Sequence, residues 1–188
     1  MTDPTLKQAQ QDLAKAYVRG APGVLVSGLV WLGAGFAWTG YGPVVAFWTL
    51  FFGGMAIFPL GLLIAKALFR APAVTLGKPL ERLALESTFV LFAGIVVAWV
   101  LLQDDAEQAI AAMAVVVGAR YFSFRTLYDE AAFWFLAATF VAIGSAALFG
   151  LGLDGPILAY SIGFVEMVAA ILIHRRWQSD ARGAAPTI

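Results

Sequence analysis

Glu166 makes the heaviest chemical demand of any side chain in the sequence. It stands in the middle of Ile157 to Ile173, a run that is otherwise almost wholly apolar. An ionisable group inside a bilayer is costly, so such a residue either carries a proton or an ion or finds a structural partner. Both readings are open from sequence. At about 1.5 Å per helical residue, Glu166 lies roughly 10 Å in from Ile173, and Arg120 roughly 6 Å in from Phe124 at the same end of another apolar run. A long arginine side chain covers that difference, so the expected pair is Glu166 with Arg120, and Glu86 is a rival partner for the arginine.

A second candidate feature lies between Val44 and Ala65, where Gly53, Gly54, Pro59 and Gly61 crowd one apolar stretch. Pro59 removes a backbone donor, which predicts a kink or break there. Broken helices build binding sites in many transporters, but glycine and proline also serve ordinary packing in membrane helices. His174, the sole histidine, sits beside Arg175 and Arg176 and reads as an interfacial group. The chain has no cysteine, which excludes disulfides and thiolate metal sites. No Gly-x-Ser-x-Gly elbow, His-Glu-x-x-His pair or phosphate-binding glycine loop is present. No cofactor or metal and no enzymatic activity are therefore expected.

These residues need elements to hold them. With 61% apolar and 13% charged residues, a water-soluble fold of 188 residues would lack the polar groups to cover its surface. Six runs approach the roughly 20 residues that span a bilayer core: Ala21 to Thr39, Val44 to Ala65, Leu83 to Leu102, Ala106 to Phe124, Ala131 to Leu151 and Ile157 to Ile173. The expected fold is all-α, a polytopic bundle of six transmembrane helices over residues 21–173. It is preceded by a cytoplasmic segment, 1–20, and followed by a cytoplasmic tail, 174–188. The polar first twenty residues lack a signal peptide's pattern, so the first span is expected to act as its own insertion signal. Within that segment, Asp3 and Pro4 read as a helix cap and first turn, and Leu6, Ala9, Leu13, Ala16 and Tyr17 as the apolar face of a short interfacial helix. All twelve Lys and Arg residues fall on one side of the six-span arrangement, which places both termini in the cytoplasm, while Asp104, Asp105 and Asp154 fall on the other. Tyr17, Tyr121, Tyr128, Trp134 and Trp177 fit an inner aromatic belt, and Trp38, Tyr41, Trp99 and Tyr160 an outer one. The loop from Lys66 to Arg82, with Pro72, Gly77 and Pro79, is read as irregular. Zero formal charge and the absence of a basic aromatic tract set nucleic acid aside.

Two patterns bear on packing. Ala138, Ala142, Ala146 and Gly150 form a small-residue stripe that would admit a close helix, from the same chain or from a second subunit. Ala46, Phe47, Trp48, Leu50, Ala56 and Ile57 recur at constant offset as Ala132, Phe133, Trp134, Leu136, Ala142 and Ile143, and Gly33 and Ala34 recur near Gly118 and Ala119. Such recurrence would suit two three-helix halves of opposite orientation.

The stretches "GVLVSGLVWL" from Gly23, "IFPLGLLIAKAL" from Ile57, "LGK" from Leu76 and "GARYFSFRTLY" from Gly118 to Tyr128 resemble an uncharacterised bacterial family of small six-helix membrane proteins. The resemblance implies the topology, with the bacterial inner membrane as the expected location, and no reaction. Similar sequences are expected to carry histidine where Arg120 stands. The leading functional expectation is a small transporter or permeation protein using Glu166. The alternative is a non-catalytic accessory subunit packed against a larger membrane complex, or a homo-oligomer. The lipid bilayer is the one partner common to all these readings. A reporter fused after Ile188 should be active only in a cytoplasmic form, and one inserted at Asp154 only in an external form; the opposite result at either point would overturn the arrangement.

Overall fold

The computed structural model describes residues 5–153 and 155–183. The expected cap at Asp3 and Pro4, the outer acid Asp154 and the end of the tail lie outside the described residues. Among the described residues the chain folds into seven α-helices: α1 (Leu6–Ala16), α2 (Ala21–Tyr41), α3 (Pro43–Leu63), α4 (Lys78–Leu102), α5 (Ala106–Tyr128), α6 (Ala132–Leu148) and α7 (Gly155–Gly183). Five long apolar helices, α2, α3, α4, α5 and α7, are long enough to cross a membrane. The sixth apolar helix, α6, has 17 residues and is shorter than the run Ala131 to Leu151 predicts. It ends where Gly150 and Gly152 adopt positive φ and turn the chain.

The helices alternate in direction. The starts of α2, α4 and α6 and the ends of α5 and α7 converge on one face, which also carries the basic residues. Trp177 of α7 packs beside Val18, Ala65 and Ala71 there, and Gln10 of α1 donates to the Thr126 carbonyl at 2.6 Å. On the opposite face Asp105 caps α5, accepting from the amides of Glu107 at 2.9 Å and Gln108 at 3.2 Å, which makes the tight turn expected between α4 and α5. Both ends of the helical bundle therefore lie at the same face.

Packing within the bundle is not simply sequential. α2 packs extensively on α3 and on α7, while α5 packs on α4 and on α6. The third helix of each half thus rests on the first helix of the other half. Phe47 and Phe133, which correspond under the sequence offset, are both fully buried, as are Leu50 and Leu136. Close crossings depend on small residues. A Cβ at Gly163 would come within 2.9 Å of the Gly28 carbonyl, and one at Gly61 within 3.1 Å of the Gly23 Cα. The α5/α6 contact uses Gly118 and Ala137 together with Ala111 and Gly144. The predicted stripe is offset from this contact by one residue: Ala138 and Ala142 are exposed, because neighbouring positions on a helix point about 100° apart.

The expected break at Pro59 does not occur. α3 stays helical through Pro59 and then widens into one π-helical segment, Ile64–Leu68, where the amide of Phe69 reaches back to the Ile64 carbonyl. Gly53 and Gly61 serve contact with α2, against Val30 and Gly23, while Gly54 faces open space. A missing donor at Pro59 is tolerated because the preceding turn can relax without ending the helix.

α1 begins with a capping box. Thr5 accepts from the Gln8 amide at 3.4 Å, and the Gln8 side chain accepts from the Thr5 amide at 2.9 Å. Ala9, Leu13, Ala14 and Ala16 are buried, but Leu6 is exposed. The helix is fixed to the bundle by polar contacts as well as by its apolar face. Asp12 accepts from the amides of Thr75 (2.7 Å), Leu76 (2.8 Å) and Gly77 (2.9 Å) and from the Thr75 hydroxyl (3.0 Å), which orders part of a loop the sequence reads as irregular. Lys66 donates to the carbonyls of Ala71, at 3.2 Å, and Pro72. Tyr17 donates to Glu81 at 2.9 Å; burial and the facing carboxylate push its phenol up to about 12, so it remains a donor.

Burial alone would raise the Asp12 pKa, but the hydrogen bonds from Gly77, Thr75 and Leu76 outweigh it and hold the carboxyl below its ordinary value. A group depressed in the folded state stabilises above its unfolded pKa and loses that contribution as pH falls through the folded one. The amides of Thr75 to Gly77 should accordingly keep their hydrogen-exchange protection at neutral pH and lose it below about pH 4. Asp12→Ala should remove the protection at every pH. Protection that survives the alanine substitution would show that something other than this carboxylate holds the loop.

Candidate functional site

The bundle buries two carboxylates almost completely, and they differ in kind. Glu130, in the α5/α6 connection, is 2% exposed and lies at the basic face. It accepts from Arg176 of α7, from Arg19 at 3.4 Å and from the Ala132 amide at 3.2 Å. Arg19 also pairs with Asp180. It reaches both acids from a left-handed turn in which Val18, Arg19 and Gly20 all have positive φ (53°, 52° and 81°). A β-branched residue seldom adopts that conformation. Val18 is held in it by complete burial against Ala65 and Ala71. This network is fully paired, and it ties the entry to α2, the α5/α6 turn and the end of α7 together.

Glu166 is the other acid, and none of the ion pairs among the described residues includes it. It is 0% exposed, near the middle of α7. Its position follows from the Gly28–Gly163 crossing: with no side chain on either residue, α2 and α7 approach closely, and a Cβ at Gly28 would lie 3.1 Å from the Glu166 Cβ. The Tyr121 hydroxyl of α5 donates to Glu166 Oε1. Glu166 Oε2 is buried and has no hydrogen-bond partner among the described residues. Ser27, buried on α2, stands beside both side chains, within side-chain reach of each.

Aromatic rings close the site. The Tyr121 ring meets Phe140 edge-on at 5.3 Å and lies 5.8 Å from Phe133, and Phe140 in turn meets Trp31 at 5.9 Å. The result is a fully buried carboxyl group joined to a phenol, with one oxygen free of partners among the described residues. Such a pair can exchange a proton, and in its ionised form the free oxygen can face a cation. A buried carboxylate with neither would cost several kcal/mol.

The expected Glu166–Arg120 pair is not formed. The side chain that reaches Glu166 belongs to Tyr121, which the sequence reading places in the inner aromatic belt; it is 5% exposed, in the core. One residue along α5 turns the direction by about 100°, so when Tyr121 faces α7 its neighbour faces elsewhere. Arg120 faces α4, donating to the Thr88 hydroxyl at 3.0 Å and lying over the Phe124 ring at 5.1 Å. Glu86 is exposed and forms no ion pair with it. His174 packs between Phe69 and Trp177 at 4.8 and 5.8 Å, on the basic face as predicted. Ser27, Tyr121, Thr88, Glu130 and Asp12 are the polar participants that sequence reasoning did not single out. Only Glu130 carried a usable signal, as an acid in a short connection on an otherwise basic face. Among the described residues no three His, Asp or Glu side chains gather to hold a metal ion.

A family model described as "Family of unknown function (DUF7010)" matches residues 6–176. No curated protein and no solved structure matches the chain.

The geometry predicts a specific pattern of coupling. Tyr121→Phe removes the donor to Glu166 and should lower stability by about 1–3 kcal/mol. The double variant with Glu166→Gln should be non-additive by roughly 1 kcal/mol, whereas Glu166→Gln with Arg120→Gln should add within about 0.5 kcal/mol. Thermal denaturation in detergent measures the three single and two double variants. Coupling to Arg120 without coupling to Tyr121 would overturn the arrangement.

Proposed function

We propose that this chain, which belongs to DUF7010 and so takes no assigned activity from its family, is a six-span membrane protein that moves protons or a proton-coupled solute through Glu166. The single observation that carries the reading is the free, buried Oε2 of Glu166 beside the Tyr121 hydroxyl, at mid-depth in a bundle of apolar helices. A carboxyl with a structural role alone would be expected to use both oxygens, as Glu130 does. Protonated, Glu166 is neutral and tolerable in hydrocarbon; ionised, it needs a compensating cation or water, so a change of its charge is coupled to whatever reaches it.

The contact pattern between the two three-helix halves supports alternating exposure of such a site, since an inverted pair of halves can rock about a central residue. In this reading α6 completes a sixth span despite its length. About 26 Å of helix, extended by the turns at either end, suffices where the bilayer thins by a few ångströms. The start of α2 and the end of α7 lie at the basic face, which we assign to the cytoplasm of a bacterial inner membrane. The function is non-enzymatic.

A second reading has its own observation. α4 packs chiefly on α5 and exposes Leu85, Phe89, Phe92, Val96 and Val100, a surface that suits lipid or a larger membrane protein equally well. Purified protein in liposomes holding a pH-sensitive dye separates the two. Under an imposed proton gradient, the wild-type chain should dissipate the gradient and Glu166→Gln should not. Flux that is unchanged by Glu166→Gln, or absent from the wild type while the chain co-purifies with a large complex at fixed stoichiometry, would defeat the transport reading.

A further inference from the structure

Arg120 lies far enough inside α5 to need a counter-charge, and the described residues supply none. Its Nη2 donates to Thr88 Oγ1 at 3.0 Å, its Nε is buried without a partner, and no carboxylate pairs with it. A hydroxyl gives a guanidinium a hydrogen bond but no neutralising charge. An uncompensated cation is unfavourable wherever water is scarce.

The level at which the group sits is informative. Long helical side chains lean by default toward the N-terminus of their helix. Arg120 instead lies over Phe124, one turn toward the C-terminal end and the basic face, with its guanidinium carbon 5.1 Å from the ring centroid. On α4 the polar character ends at the same level. Lys78, Glu81, Arg82, Glu86, Ser87 and Thr88 all precede Phe89, and from Phe89 to Leu102 the helix carries no charged or hydroxyl side chain. The Arg120–Thr88 contact therefore lies at the level where α4 loses its polar side chains. Arg120 is itself only partly buried, on the side of α5 that faces α4.

We infer that Arg120, oriented by Thr88, holds the phosphate of a phospholipid headgroup from the leaflet at the basic face. A planar guanidinium offers parallel donors that match phosphate oxygens, and a phosphodiester carries the missing negative charge. The Thr88 hydroxyl donates its one hydrogen to the Ala84 carbonyl at 2.9 Å and accepts from Nη2, so it orients the guanidinium and leaves the phosphate to the arginine. Exposed Lys78 and Arg82, nearer the start of the same helix, favour headgroups with net negative charge over zwitterionic ones. The inference requires the chain to lie in a bilayer and is independent of any role for Glu166.

Native mass spectrometry of the full chain in neutral detergent, supplied with an equal mixture of phosphatidylglycerol and phosphatidylcholine, tests this. The wild type should retain one phospholipid, phosphatidylglycerol in preference. Arg120→Gln should cut retention roughly tenfold, the scale of a lost charge-assisted hydrogen bond. Arg125→Gln, whose residue pairs with Asp129 at 2.5 Å, should leave retention unchanged. Arg120→Lys keeps the charge and loses the fork; it should give intermediate retention, and it carries the test if Arg120→Gln does not fold. Retention equal to wild type in either Arg120 variant that folds would overturn the assignment. So would displacement of the lipid by inorganic phosphate at comparable concentration, which would make the site one for a free anion.

Discussion

Gly28 and Gly163 let the backbones of α2 and α7 touch, and much of the rest of the molecule follows from that crossing. Lipid is as apolar as the helix surfaces, so hydrophobic burial does not drive one membrane helix onto another; close van der Waals packing does much of that work. A methyl group at Gly163 would lie within 2.9 Å of the Gly28 carbonyl and of the Leu32 amide. The crossing joins the first apolar helix to the last, bringing both ends of the bundle to one face. It also puts Glu166, three residues from Gly163, against α2 and under the Tyr121 hydroxyl. The burial of the acid is thus a consequence of the two glycines as much as of its own position in the sequence.

The same economy governs the basic face. There the polar groups are partnered: Glu130 by two arginines and an amide, Asp12 by three amides and a hydroxyl, Lys66 by carbonyls. These contacts join α1, the π-helical end of α3, the loop before α4, the α5/α6 turn and the end of α7. Backbone strain at Val18 and Arg19 is offset by the ion pairs that Arg19 makes and by the full burial of Val18. Among the described residues, the buried side-chain polar atoms left without partners are Glu166 Oε2 and Arg120 Nε.

Helix existence and rough extent were legible in the sequence because each long apolar run exceeds what a soluble helix needs and is punctuated by Gly, Pro or charge. The short turn at Gln103 to Asp105 and the placement of His174 at the basic face were legible for the same reason. Helix rotation was not. Ala138 and Ala142 carry the spacing of a packing stripe, yet their neighbours Ala137 and Val141 make the contact with Gly118; Arg120 has the depth to meet Glu166, yet Tyr121 does. Both differences are a single residue, about 100° of rotation, and a run that is apolar on all sides has no amphipathic face to fix that angle. Pro59 does not end its helix, for a related reason. Its effect on the helix depends on whether the preceding turn can relax, which its neighbours in space decide.

Depth and rotation also explain why the two intramembrane ionisable groups are suited to different partners. Arg120 is long, so even from two turns inside α5 its guanidinium reaches the level at which α4 loses its polar residues. In the bilayer placement proposed above, phosphate and water would be available there to balance the charge. Glu166 is short and lies behind Gly28, Phe140 and Trp31, out of reach of either face. Its charge can persist only while something small arrives to balance it. An arginine in its place would have run toward an interface; a glutamate at this depth stays where the helix crossing holds it, which is the condition a proton-exchanging group inside a membrane has to meet.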